Sequence, residues 1–143
     1  LKLLSWSALV HEIGISVAHA QHHKHAAYLV THSDLAGFSR QEQQIMALLV
    51  RAHRRKFPVE ELALIPEMER NHIFLLCILL RLSVLLNRSR SISALPGIRL
   101  SAGGMEGSLE FPGEWLRKYP LTQADLELEA EFLSAAGFRL TLR

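Results

Sequence analysis

Between Ile73 and Leu86 every residue except Arg81 and Ser83 is apolar, and a helix built from such a run has to be buried on nearly all of its faces. The run is shorter than the roughly 20 apolar residues a bilayer span takes, and Arg81 interrupts it. We therefore expect a buried core helix and no membrane span. With 49% apolar residues in a chain of 143, there is enough material for one core, or for a helical domain with a small appendage. Cys77, the single cysteine, lies inside the run. It can form neither a disulfide framework nor a zinc finger, and it is expected to pack as a small buried hydrophobe.

Leu3, Leu4, Trp6, Leu9, Val10 and Ile13 recur at helical spacing, and the first helix is expected to stop near Gly14 in a left-handed cap. The run is broken by His11 and Glu12, unlike the apolar core of a signal peptide, so the chain reads as beginning within a longer protein. A second helix is expected over about 22–30, followed by a turn at Ser33, Asp34 and Gly37. Ser39-Arg40-Gln41-Glu42 is a capping box that launches a helix to about residue 55. Pro58 and Pro66 bracket a short segment, and a long helix should cover about 67–88. A polar linker over 89–97 ends at Pro96-Gly97. Ile98 and Leu100, then Leu109 and Phe111, alternate around Gly103-Gly104 as a hairpin. A short helix from Pro112 and a second one capped by Thr122 should end at Gly137, before Phe138, Leu140 and Leu142 alternate as a strand. Trp6 and Trp115 are expected to serve packing. The fold class is thus mainly α, with a helical domain over 1–92 and a small β-β-α-α-β domain over 97–143.

Charge is unevenly divided: residues 1–97 hold 11 Lys/Arg against 7 Asp/Glu and all eight histidines, and the remainder holds 5 against 7. A cationic first part fits a module that faces a polyanion.

Leu9-Val10-His11-Glu12-Ile13-Gly14 resembles the apolar-apolar-His-Asp-Ile-Gly signature of HD-type metal-dependent phosphohydrolases. His22-His23-Lys24-His25-Ala26-Ala27, Gly37-Phe38-Ser39 with Glu42, and Val50-Arg51-Ala52-His53 resemble later segments of that family in the same order. The departures concern the metal. Glu12 replaces an aspartate, the family's first histidine ligand has no counterpart here, and in Leu80-Arg81-Leu82-Ser83-Val84-Leu85-Leu86-Asn87 the residue Val84 stands where the late aspartate belongs. A valine has no lone pair to offer, so no metal site is expected from His11, Glu12, Arg81 and Val84. His11 is expected to be structural; Arg81 should either pair with Glu12 in the core or line an anion path.

The combination of an HD-like domain, a His-Glu doublet and a small αβ unit resembles the carboxy-terminal half of the exopolyphosphatase and guanosine pentaphosphate phosphatase family. His23-Lys24-His25-Ala26-Ala27-Tyr28, Ser33-Asp34-Leu35-Ala36-Gly37-Phe38-Ser39 and Leu48-Leu49-Val50-Arg51-Ala52-His53-Arg54-Arg55-Lys56 carry that likeness. It implies that hydrolysis, with its carboxylates and Mg²⁺, belongs to amino-terminal domains, and that this chain holds no catalytic residue or cofactor. It also implies a homodimer, with a cytoplasmic or membrane-peripheral location.

Holding inorganic polyphosphate takes cations along a groove, with affinity falling as salt rises. The candidates are His22, His23, Lys24 and His25 at one helix start, and Arg51, His53, Arg54, Arg55 and Lys56 at another helix end. Each taken singly reads equally as a solvated surface charge, or as a cation placed well at a helix carboxyl end. Single-strand nucleic-acid binders interleave aromatics with charge, and only Tyr28 and Phe57 lie near these clusters, which argues against nucleic acid. The leading expectation is an accessory module of an exopolyphosphatase. The alternatives are the equivalent part of a guanosine pentaphosphate phosphatase, a purely structural dimerisation module, and an active metal phosphohydrolase.

Overall fold

The computed structural model describes residues 1–88 and 94–143, so part of the expected linker lies outside the described residues. The chain divides into two compact units, Leu1–Val84 and Leu85–Arg143. It is mainly helical, with one three-stranded sheet.

In the first unit, helix α1 (Lys2–Val10) leads through a 3-10 turn (Ile13–Ser16) to α2 (His22–His32), α3 (Arg40–Ala52), the short α4 (Val59–Ala63) and α5 (Glu67–Leu86). The capping box forms as expected. The Ser39 hydroxyl accepts from the Glu42 amide at 3.1 Å, and the Glu42 carboxylate accepts from the Ser39 amide at 2.8 Å. That backbone bond, helped by Lys2, holds the Glu42 carboxyl below its usual range. Buried Gln43 then ties α3 to α2: its Nε2 donates to the carbonyls of Val30 at 2.6 Å and Ser33 at 2.7 Å. These are carbonyls at the end of α2 that the helix itself leaves without partners. Met46 and Ala47 of α3 pack on Val30, with Leu3, Val10, Leu35 and Phe38 closing over them. Trp6 meets Phe38 edge to face at 5.7 Å, in the packing role expected for it.

The α5 run is buried as its composition demands: Ile73, Phe74, Leu76, Cys77, Ile78, Leu80, Leu82 and Leu85 are all core residues. Each such side chain contributes about 1.5–3 kcal/mol on leaving water. Burial pushes the Cys77 thiol up to about 12, which makes it inert. No helix among the described residues is long and apolar enough to cross a membrane.

Two local expectations are corrected. Gly14 is no left-handed cap; it lies within the 3-10 turn against the start of α2, where a Cβ would sit 1.9 Å from the His22 carbonyl oxygen. Glycine is required there by close approach of two backbones. Helix α3 stops at Ala52 rather than near residue 55, because the chain turns sharply, with Arg55 left-handed at φ 64°.

In the second unit, β1 (Arg99–Gly103) and β2 (Glu106–Glu110) form the expected hairpin, in register from Arg99↔Glu110 to Gly103↔Glu106. Helices α6 (Trp115–Lys118) and α7 (Pro120–Ala135) then carry the chain back to β3 (Arg139–Leu142), which pairs parallel with β2. A parallel return requires such a crossover. Trp115 stacks on Phe111 at 5.3 Å and packs at a tilt against Tyr119 at 4.4 Å. Thr122 does not cap α7. Pro120 opens the helix at its first turn, where a missing amide costs nothing, and Thr122 lies inside it. Gly137 ends the helix at φ 88°, as expected.

Candidate anion-binding site

The turn that follows α3 carries Arg54, Arg55 and Lys56, and its shape is fixed from beneath. Arg81, only 1% exposed, projects from α5 under the end of α3. Its guanidinium donates to the carbonyl of Ala52 and, at 2.7 Å, to that of Arg55, and it lies 5.6 Å from the centre of the Phe57 ring. Phe57 packs in turn on Phe74 at 4.9 Å. The carbonyls at a helix carboxyl end carry partial negative charge, so a buried cation is well satisfied there. Glu12 is exposed, and its charge acts on His22. Arg81 thus supports the backbone of the basic turn through these two carbonyls.

Behind that turn lies a group of imidazoles. The His53 ring stands 5.1 Å from that of His11, 5.5 Å from His22 and 6.3 Å from His23. His53 Nδ1 donates to the Val50 carbonyl at 2.6 Å and His11 Nδ1 to that of Ala8 at 2.7 Å, which fixes both tautomers. The Arg54 guanidinium donates to His22 Nε2, so that ring accepts and is neutral. Burial pushes His53 down to about 3 and His23 to about 4, with neighbouring Arg51 and Arg54 adding to the effect on His23. His22 is lowered by burial first and then by Arg54.

These shifts bear on three of the candidates: with their imidazoles lowered by burial, His22, His23 and His53 are held as neutral groups behind the turn. His25, half-buried, does not line the cleft. The metal-signature positions do not converge either: Val84 offers no donor, Glu12 is exposed, and no three His, Cys, Asp or Glu side chains among the described residues are placed to share an ion. That donor set does not fit a divalent cation.

The structure does gather Lys24 from α2 with Arg51, Arg54, Arg55 and Lys56, five cations around one open cleft of about 770 Å³, in which His23 also takes part. Two carboxylates share the lining, Glu60 and Glu61, and Glu61 lies 3.9 Å from Arg51. Among the described residues Lys24, Arg55 and Lys56 have no acidic partner. The amino end of α2 opens on the same cleft with no side-chain cap and no acidic residue in its first turn, so its backbone amides add to the positive field. Reading the sequence missed His19, Gln21, Phe57, Pro58, Glu60 and Glu61 in the lining. Two of them carried a signal: Gln21 stands directly before a histidine-rich helix start, and Phe57 directly follows the basic run.

Comparison with known proteins places this geometry in a family. A family model described as Ppx/GppA phosphatase, domain III, matches residues 1–130. A guanosine-5'-triphosphate,3'-diphosphate pyrophosphatase of Vibrio vulnificus is 37% identical over 143 residues, covering 98% of this chain and 28% of the relative. One of the same name from Vibrio cholerae is 36% identical with the same coverage. Another, from Aliivibrio fischeri, is 30% identical over 145 residues, 99% of this chain and 28% of the relative. The chain thus spans about 28% of the length of these curated relatives. With a match that takes in α1 to α5 and the whole basic cleft, the chain belongs to the Ppx/GppA phosphatase family, in the part described as domain III.

Proposed function

We propose that this chain is an accessory, carboxy-terminal module of a phosphatase of this family, which grips a run of phosphates while residues outside it break the phosphoanhydride bond. The observation that carries the reading is the cleft itself: five cations from α2, α3 and the following turn face one volume, and three of them have no acidic partner among the described residues. Closely spaced phosphates would replace the water around those side chains with several charge-assisted bonds at once. The ligand is either inorganic polyphosphate or a guanosine nucleotide of the kind for which the Vibrio relatives are named. In this reading the first unit is an HD-like bundle that has given up its metal, and Mg²⁺ would act in the parent's catalytic domain. The whole protein would work as a cytoplasmic homodimer, with exposed apolar side chains such as Leu9 and Leu64 as material for contacts.

A purely structural dimerisation module is the competing reading, and it predicts no anion binding. Titration of tripolyphosphate and long-chain polyphosphate into the chain at low and high salt separates the two. Long chains should bind more tightly than tripolyphosphate, with affinity falling as salt screens the cleft. The combined Lys24→Glu, Arg55→Glu, Lys56→Glu variant should lose most of its binding, and lose more of it at low salt than at high salt. Equal binding by variant and parent at low salt would sink the phosphate-grip reading.

A further inference from the structure

One wall of the cationic cleft is acidic. Glu60 and Glu61 stand in the first turn of α4 and line the same volume as Arg51, Arg55 and Lys56. The segment that carries them is pinned. Pro58 and Pro66 restrict the backbone on either side of it, and Leu62 anchors it with only 6% of its surface exposed. At its carboxyl end, Nη2 of Arg70 donates to the carbonyls of Ala63 and Ile65, each at 3.0 Å. Arg70 stands on α5, the helix that also carries Arg81, so α5 fixes an acidic strap on one side of the cleft and the basic turn on the other.

We propose that α4 is an internal competitor of the bound anion, a brake whose two carboxylates answer part of the positive charge that the anion would otherwise meet. The inference rests on the phosphate-grip reading and adds a regulator to it. Glu61 lies 3.9 Å from Arg51, with 48% of its side chain exposed against 25% for Arg51. A pair this long and this wet contributes little to stability. Its consequence is in the cleft: the Arg51 charge, three-quarters buried and so weakly screened, is offset before any anion arrives. A phosphate that reaches Arg51 has to push the Glu61 side chain aside or accept its repulsion, and either lowers affinity. The backbone of the strap cannot swing away to relieve this, because Leu62 and Arg70 hold it. Five cations against two carboxylates still leave the cleft positive, so the grip persists in a loosened form. Several unopposed cations acting together would hold a chain of phosphates through multivalent contact and release it slowly. The strap keeps exchange fast, as a module that feeds phosphates to a separate catalytic domain requires.

The test is calorimetric titration of tripolyphosphate into the parent chain, a Glu61→Gln variant and a combined Glu60→Gln, Glu61→Gln variant, at low and at high salt. Glutamine keeps the shape of the side chain and removes its charge, and both positions are exposed, so the urea midpoint should stay at the parent value. At low salt Glu61→Gln should tighten binding about threefold and the combined variant about tenfold, with the gain shrinking as salt screens the cleft. Glu67→Gln removes the same charge from the start of α5, outside the cleft, and should change affinity less than about twofold. Equal binding by the parent and the combined variant would overturn the brake and leave the phosphate grip standing. Weaker binding by the combined variant would also overturn it, and would assign the carboxylates to orienting the cations instead. A gain from Glu67→Gln as large as that from Glu61→Gln would reduce the effect to overall charge and overturn the assignment to α4. Failure of the parent and both cleft variants to bind would overturn the brake and the phosphate grip together.

Discussion

Nη2 of Arg81 donates to the carbonyl oxygen of Arg55 at 2.7 Å, so a cation buried on α5 sets the path of the turn that displays the exposed ones. The same guanidinium holds the last residue of α3 through the Ala52 carbonyl. The two contacts fix both ends of the segment that carries Arg54 and Arg55, and the left-handed backbone of Arg55 is kept in place although an L residue there is disfavoured by about 1 kcal/mol.

Arg81→Leu should therefore destabilise the chain by about 3 kcal/mol in urea unfolding, since it strands the buried Ala52 carbonyl and the part-buried Arg55 carbonyl that a charged donor had satisfied. It should also weaken tripolyphosphate binding, although Arg81 does not line the cleft. Arg81→Lys should fall between, because one ammonium lacks the fork that reaches both carbonyls. A leucine variant with an unchanged unfolding midpoint would show that the turn holds itself.

The imidazoles behind the turn make the fold sensitive to acid. His23 and His53 titrate near 4 and 3 in the folded chain and near their ordinary 6.5 when unfolded. Between those limits the unfolded chain binds more protons, so stability rises with pH. It is complete above about 6.5 and is lost progressively as pH falls toward the folded values. Unfolding midpoints measured from pH 7 to pH 4 should decline, and His53→Asn should flatten that slope. A parent chain equally stable at pH 7 and pH 5 would contradict the neutral, buried assignment.

Ser39→Ala should cost about 1 kcal/mol, the usual worth of an N-cap hydroxyl, because it leaves the Glu42 amide without its acceptor. Loss of helical signal on mild heating, at an unchanged tripolyphosphate affinity, is the expected pattern, since the cap lies at the opposite end of α3 from the basic turn. A drop in affinity equal to that of the cleft variants would mean that α3 transmits strain along its length.

The capping box was legible because both its bonds close within four residues, and the same holds for the proline-bounded α4 and the hairpin around Gly104. The α5 run was legible because a stretch so apolar has one stable environment. What the sequence left hidden depends on residues far apart in the chain. Arg81 meets carbonyls 26 and 29 positions away, and Arg54 meets His22 across 32. The basic residues of the cleft could be picked out by composition. The neutrality of His22, His23 and His53 could not, because it follows from burial by several elements at once. Gly14 misled for the same reason: glycine after an apolar run reads as a local cap, and the cause of its presence is a helix start eight residues later.

That cause is open to test. Alanine is the smallest side chain that can replace Gly14, yet its Cβ would meet the His22 carbonyl oxygen at 1.9 Å and the Ala26 amide nitrogen at 2.5 Å, both of them backbone atoms of α2. Neither can swing aside as a side-chain tip would, so α2 has to retreat from the 3-10 turn as a body, at a cost of about 2–3 kcal/mol. The start of α2 carries His22, which accepts from Arg54, and Lys24, which faces the cleft. Gly14→Ala should thus lower both the urea midpoint and the affinity for tripolyphosphate, whereas Ser16→Ala, an exposed change in the same turn, should leave the affinity as it is. If Gly14→Ala proved as stable as the parent and bound the anion equally well, α1 and the 3-10 turn would be free to move independently of α2. The cleft would then owe its shape to α3 and α5 alone.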